Sequence, residues 1–168
     1  MKAMVQRVTW ASVTVGGEQI STIGWGICVL LGISLEDTQK ELEHMVWKIL
    51  NLRVFEDEGG KHWSKSVMDK QYEVLCVSQF TLQCVLKGNK PDFHLAVPAE
   101  QAESFYQGFL EQLRKAYRPE LIKGRWGPPG NRVGQCPQDI FQQGTNSLQM
   151  EHFLSGKFAV HAYSLFFL

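Results

Sequence analysis

Apolar and polar residues alternate over 2–9 and again over 11–15, the period of a strand with one face buried. Gly16-Gly17 reads as a hairpin turn, and residues 18–23 return as a second strand. Residues 26–33 form an unbroken apolar run, which predicts a strand covered on both faces. Ser34 to Asp37 supplies caps and early acids for a helix running to about Leu52, with Leu42, Met45, Val46, Ile49 and Leu50 on one face. Glu56 to Gly60 is a charged turn, residues 72–82 a strand, and Lys87 to Pro91 a loop. Pro98 opens a second helix whose stripe is Ala102, Phe105, Phe109 and Leu113, ending near Tyr117. Strands followed by helices, rather than strict alternation of the two, predict an α+β fold.

The pattern changes after Lys123. Of the charged residues, 29 fall in 1–123 and five in 124–168, while six glycines, three prolines and five glutamines enter the second segment. Residues 125–135 lack periodicity and read as loop, 138–154 have weak helical character, and 157–168 are apolar and aromatic, as in a strand. The reading divides the chain into one domain over 1–123 and a divergent segment over 124–168.

Composition narrows the classes further. A chain of 168 residues with 44% hydrophobic content suffices for one domain with a substantial core. Its formal net charge of zero means that any contact with a polyanion has to come from a local patch. Cys28, Cys76, Cys84 and Cys136 lack the paired spacing of a metal site and read as buried free thiols. His44, His62, His94, His152 and His161 are scattered, so structural or surface roles outweigh a metal site. No secretory leader and no apolar run long enough to span a membrane stand out, and a reduced, cytoplasmic setting is the expectation.

Candidate chemistry centres on Ser78-Gln79-Phe80-Thr81-Leu82, which ends the apolar run Val74-Leu75-Cys76-Val77. Buried hydroxyls and amides cost about 1–3 kcal/mol if unpaired, so this polar cluster either faces a cleft or marks an ordinary exit from a strand. Lys87, Lys90 and Phe93 suit nucleic acid, by phosphate attraction and stacking, as well as they suit a solvated loop.

Six stretches carry a resemblance in order, from residue 1 to about 123: 1–8, 11–15, 26–33, 51–55, the Ser78-Gln79-Phe80-Thr81-Leu82 signature, and Lys87-Gly88-Asn89-Lys90-Pro91-Asp92-Phe93. Together they resemble the D-aminoacyl-tRNA deacylase family, of the D-tyrosyl-tRNA deacylase type. The resemblance implies a barrel-like β-core with helices packed outside, working as a homodimer on aminoacyl-tRNA, with no cofactor and no metal. It implies hydrolysis of the ester of D-aminoacyl-tRNA, and of mischarged glycyl-tRNA, as translational proofreading. By the same resemblance, Ser78 and Gln79 bind substrate, and Phe80 and Thr81 are the catalytic positions, with backbone N–H groups there as oxyanion donors. A Thr81 nucleophile is the competing idea, and it needs an adjacent base that the sequence does not display.

The chain departs from the family pattern in its second half. The family's Asn-x-Gly-Pro-Val-Thr segment, whose Gly-Pro reaches into the partner's pocket and rejects L-amino acids by sterics, is absent. The one Gly-Pro pair is Gly127-Pro128, which reads as a turn or as a substitute gate. By resemblance Arg7 supports the missing element; without it, Arg7 reads as a surface strand residue. Trp10, Trp25 and Trp47 stand where vertebrate-like members usually carry Arg, either as tolerated surface aromatics or as a loss of positive charge for tRNA. These departures leave an alternative: an impaired member serving as a nucleic-acid-associated or regulatory dimerisation partner. They also predict that the last strand of the core is missing or poorly substituted.

Overall fold

A computed structural model describes residues 1–15, 18–126, 141–144 and 165–167. Strands β1 (Lys2–Val8), β2 (Trp10–Val15), β3 (Glu18–Ile23) and β4 (Gly26–Gly32) come first, where the sequence pattern predicts strands. Helices α1 (Gln39–Asn51) and α2 (Val67–Lys70) follow, then β5 (Glu73–Ser78). A 3-10 turn over Phe80–Gln83 leads into the hairpin strands β6 (Val85–Lys87) and β7 (Lys90–Asp92). Helix α3 (Ala99–Ala116) and strands β8 (Ile122–Arg125), β9 (Phe141–Gly144) and β10 (Leu165–Phe167) complete the order.

The described strands form a five-stranded sheet, β10-β1-β4-β5-β8, a three-stranded sheet, β3-β2-β9, and the β6–β7 ribbon. The α+β expectation holds. The barrel-like expectation does not, because the large sheet has two open ends, β10 and β8, among the described residues. Its parallel pairs, β4 with β5 and β5 with β8, occupy the centre and one edge.

Three layers result. Ile27, Val29 and Leu31 of β4 and Val74 and Cys76 of β5 pack on one face with Leu42, Met45, Val46, Ile49 and Leu50 of α1 and Tyr106, Phe109, Leu110 and Leu113 of α3. Cys28, Leu75 and Val77 point the other way, against Val8, Ala11, Val13 and Ile23. Both faces of β4 and β5 are therefore covered, which is why their sequences are apolar without alternation. Gly26 is required where these strands meet, since a Cβ there would stand 1.9 Å from the Glu73 carbonyl oxygen.

Helix α1 begins one residue later than the expected caps. Thr38 is its N-cap and forms a reciprocal capping box with Glu41. Its five buried residues are the five of the predicted face. In α3, Ala102, Phe109 and Leu113 of the predicted stripe are buried while Phe105 is only half-buried; Tyr106 and Leu110 are buried as well, and the Tyr106 hydroxyl donates to the Cys76 carbonyl at 2.7 Å. A polar atom at the tip of Tyr106 hides it from a purely apolar pattern, yet it ties the helix layer to β5.

The C-terminal segment agrees with expectation in part where it is described. Residues 165–167, within the stretch read as a strand, pair antiparallel with β1, Met4 opposite Phe167, so the large sheet gains a strand where a missing or poorly substituted one was expected. Residues 141–144, read as weakly helical, instead pair with β2. Arg125 lies in β8, not in a loop. The predicted Gly16-Gly17 turn and the remainder of the predicted loop, helix and end strand lie outside the described residues.

Candidate functional site

The signature begins where β5 stops. The sequence pattern runs this strand to residue 82, but it ends at Ser78, opposite Leu31 of β4. Gln79 N–H donates to the Leu31 carbonyl at 2.7 Å, and the chain then turns into the 3-10 segment Phe80–Gln83. Two residues that sequence reading missed hold this turn against the end of β4. The Gln83 side-chain amide, 3% exposed, donates to the Gly32 carbonyl at 2.7 Å. A Cβ on Gly32 would stand 2.7 Å from the Leu82 Cβ, so the glycine permits the close approach. The available signals were a buried-looking Gln among apolar neighbours and a glycine closing an apolar run.

Ser78, Gln79, Phe80 and Thr81 are consecutive and each half-buried, so all four candidate residues sit at one end of the large sheet. The Gln79 side-chain amide donates to the Thr81 hydroxyl oxygen. The backbone N–H groups of Phe80 and Thr81 open the 3-10 turn and have no hydrogen-bond acceptor among the described residues. The Phe80 ring meets Phe93 edge-on at 5.5 Å between centroids, which docks the β6–β7 hairpin beside the turn.

No conventional nucleophile–base arrangement stands here among the described residues. The partner of the Thr81 hydroxyl is an amide, and neither end of an amide is a base at neutral pH. Among the described residues no group of three His, Cys, Asp or Glu is placed to hold a metal. Burial pushes the Cys76 thiol up to about 12 and raises Cys28 as well, so both are inert free thiols; Cys84 is half-buried. Cys136, His152 and His161 lie outside the described residues.

The loop predicted over Lys87 to Pro91 is the tip of the β6–β7 hairpin. Of its three nucleic-acid candidates, Lys87 is ion-paired with Asp92 and Phe93 is engaged with Phe80. The Lys87 ammonium, aided by the His94 N–H and ring, holds the Asp92 carboxyl well below the usual range. His62 is likewise committed, to Glu56 at 2.8 Å.

Arg7 sits away from the signature. Arg7 is half-buried, donates to the Val54 carbonyl at 2.9 Å and lies 5.4 Å from the Trp63 ring centroid. This end of β1 pairs with the start of β4, whereas the signature adjoins its finish. Trp10, Trp25 and Trp47 are exposed on the surface. An open depression of about 500 Å³ lies between α2 and the end of α3, lined by Met68, Asp69, Gln71, Lys115, Tyr117 and Arg118, and shares no residue with the signature. Gly127 and Pro128 lie outside the described residues. No helix among the described residues is long and apolar enough to cross a membrane.

Residues 4–130 match the family described as D-Tyr-tRNA(Tyr) deacylase. Over 128 residues the chain is 91% identical to D-aminoacyl-tRNA deacylase 1 of Bos taurus and 88% identical to that of Homo sapiens. Each alignment covers 76% of this chain and 61% of the relative, so the chain spans about three-fifths of the length of these mammalian proteins. The solved structure of the c-Myc DNA Unwinding Element Binding Protein superposes with a TM-score of 0.73 at 88% identity, covering 76% of this chain and 86% of that one. A probable eukaryotic D-amino acid tRNA deacylase superposes with a TM-score of 0.65 over 86% of this chain and 93% of its own, and at 18% identity it speaks to the fold alone.

Proposed function

This chain belongs to the D-Tyr-tRNA(Tyr) deacylase family, and from that premise we propose that it hydrolyses the ester bond of D-aminoacyl-tRNA, releasing free tRNA and the D-amino acid. The observation that carries this reading is the intact signature turn, whose Phe80 and Thr81 N–H groups have no acceptor among the described residues.

Ester hydrolysis passes through a tetrahedral intermediate whose oxygen bears negative charge. Fixed backbone donors aimed at that oxygen act without any ionisable side chain, and one such donor is worth about 10²–10³ in rate. In this proposal the Phe80 and Thr81 N–H groups bind the oxyanion, while Ser78 and Gln79 line the amino-acid pocket. Gln79 holds the Thr81 hydroxyl in place, so Thr81 shapes the site rather than attacking. A positioned water adds to the ester carbon. The C–O bond to the ribose breaks, and the leaving oxygen takes a proton relayed through the neighbouring ribose hydroxyl of the substrate.

The functional boundary in this reading falls after residue 123. Residues 1–123 supply the hydrolytic half of the site, and 124–168 stand where relatives carry the chirality gate. The working form is a homodimer in the cytoplasm. Gly127-Pro128 is the available substitute for the gate, and without the Val-Thr that should follow, it is a poor one. The test is release of amino acid from D-tyrosyl-tRNA by the purified protein. Hydrolysis above the spontaneous rate supports the reading, and its absence in a folded sample rejects it.

A further inference from the structure

We propose that the tip of the β6–β7 hairpin is a phosphodiester contact that aligns the 3′ strand of tRNA with the signature turn; the inference rests on the deacylase reading of that turn. In the hairpin Lys87 stands directly opposite Lys90, and Val85 opposite Asp92. Directly opposed residues share a face, so both ammonium groups and the one carboxylate emerge on the same side. Like charges placed opposite each other destabilise a ribbon. The carboxylate is already committed. Asp92 pairs with Lys87, accepts the His94 N–H at 3.0 Å and contacts the His94 ring at 2.9 Å. Lys90 is exposed and has no ionic partner among the described residues. The face therefore carries one uncompensated positive charge at its tip.

Position singles out what that charge meets. Gly88, with φ of +64°, begins the two-residue turn between the lysines and lets the tip fold back tightly. Phe93, three residues beyond Lys90, is anchored on Phe80 of the signature. At strand rise, three residues span about 10 Å, which places Lys90 one or two nucleotides from an ester bound at the turn. The substrate's own backbone is the polyanion that passes there. Since the chain as a whole is neutral, the attraction has to be local, and this tip supplies it.

The test measures binding of deacylated tRNA by fluorescence anisotropy across a salt series, for the full chain and for Lys90→Gln, Lys90→Arg and Lys61→Gln. Lys61 is exposed in the loop closed by the Phe55–Lys65 bridge, whose Phe55 packs on Tyr72 just before β5 begins, and it serves as the charge control. Lys90→Gln is expected to weaken binding severalfold at low salt and to lower the slope of log affinity against log salt by about 0.7, the value of one single-strand phosphate contact. Lys90→Arg should keep both. Hydrolysis of an aminoacyl-adenosine, which has no phosphodiester, should be unchanged by Lys90→Gln. If tRNA is bound with this dependence on Lys90 but no ester is hydrolysed, the contact stands and the deacylase reading fails. If Lys90→Gln is indistinguishable from Lys61→Gln in affinity and slope, the contact is overturned whatever the activity.

Discussion

The side-chain amide of Gln83 donates to the Gly32 carbonyl at 2.7 Å from a position only 3% exposed, and so fastens the signature turn to the end of β4. Replacing it by Leu removes that bond, a loss of about 0.5–1.5 kcal/mol. Thermal denaturation of Gln83→Leu should show it. Deacylation should fall further than the lost stability explains, because the Phe80 and Thr81 N–H groups lose their fixed aim. Full activity in a destabilised variant would show that the turn does not depend on this clamp.

Thr81→Ala should retain most of the rate, with a loss of about tenfold or less, since both backbone donors survive the change. A bulky residue at Ser78 or Gln79 should do more damage by filling the pocket. A loss on the order of 10⁴-fold for Thr81→Ala, with tRNA binding intact, would instead mark a nucleophile.

Much of this frame is legible in the sequence. The apolar face of α1 is found residue for residue because a helix buried on one side has a simple period. The 26–33 run is recognisable as doubly covered for the same kind of reason. The end of β5 is not, because Leu82 continues an apolar-looking strand, and only Gly32 and Gln83 across the fold decide where the chain turns. The hairpin tip reads as loop because its strands are three residues each and held by the Lys87–Asp92 pair, which leaves no apolar alternation. The signature itself is recognised by resemblance, since physics alone leaves a polar strand end ambiguous. The pairing of 165–167 with β1 has no local signal at all, being a contact across the whole chain.

Gly26→Ala should be among the most damaging single substitutions. A methyl group 1.9 Å from the Glu73 carbonyl oxygen cannot be relieved by a side-chain rotation, so β4 and β5 have to part. Overpacking in a core costs about 1–3 kcal/mol, and a backbone clash belongs at or above the top of that range. Soluble yield and melting temperature check this. A variant that melts like the parent would contradict the close β4–β5 approach.

Acid should weaken the fold through three carboxylates. Glu41 and Asp69 are lowered by hydrogen bonds from Thr38 and Ser66 in their capping boxes, and Asp92 is lowered by Lys87 and His94. A carboxyl that is more acidic folded than unfolded stabilises fully above its unfolded value, here 4.5 for Glu41 and 3.8 for the two Asp, and loses that contribution as pH falls through the lower folded value. Melting temperature should therefore show no loss from these groups between neutrality and about pH 4.5, and a decline below it. Asp92→Asn should make the decline shallower. Stability that rises on acidification below pH 4 would contradict these assignments.

The central claim is that this chain keeps the hydrolytic turn and lacks the steric gate, so the most direct measurement is the ratio of D- to L-aminoacyl-tRNA hydrolysis rates. It should be made on this chain and on one with the Asn-x-Gly-Pro-Val-Thr segment restored. The account predicts hydrolysis of both enantiomers by this chain at comparable rates, with discrimination returning in the restored chain. Strong D-selectivity in this chain, equal to that of the restored one, would contradict it.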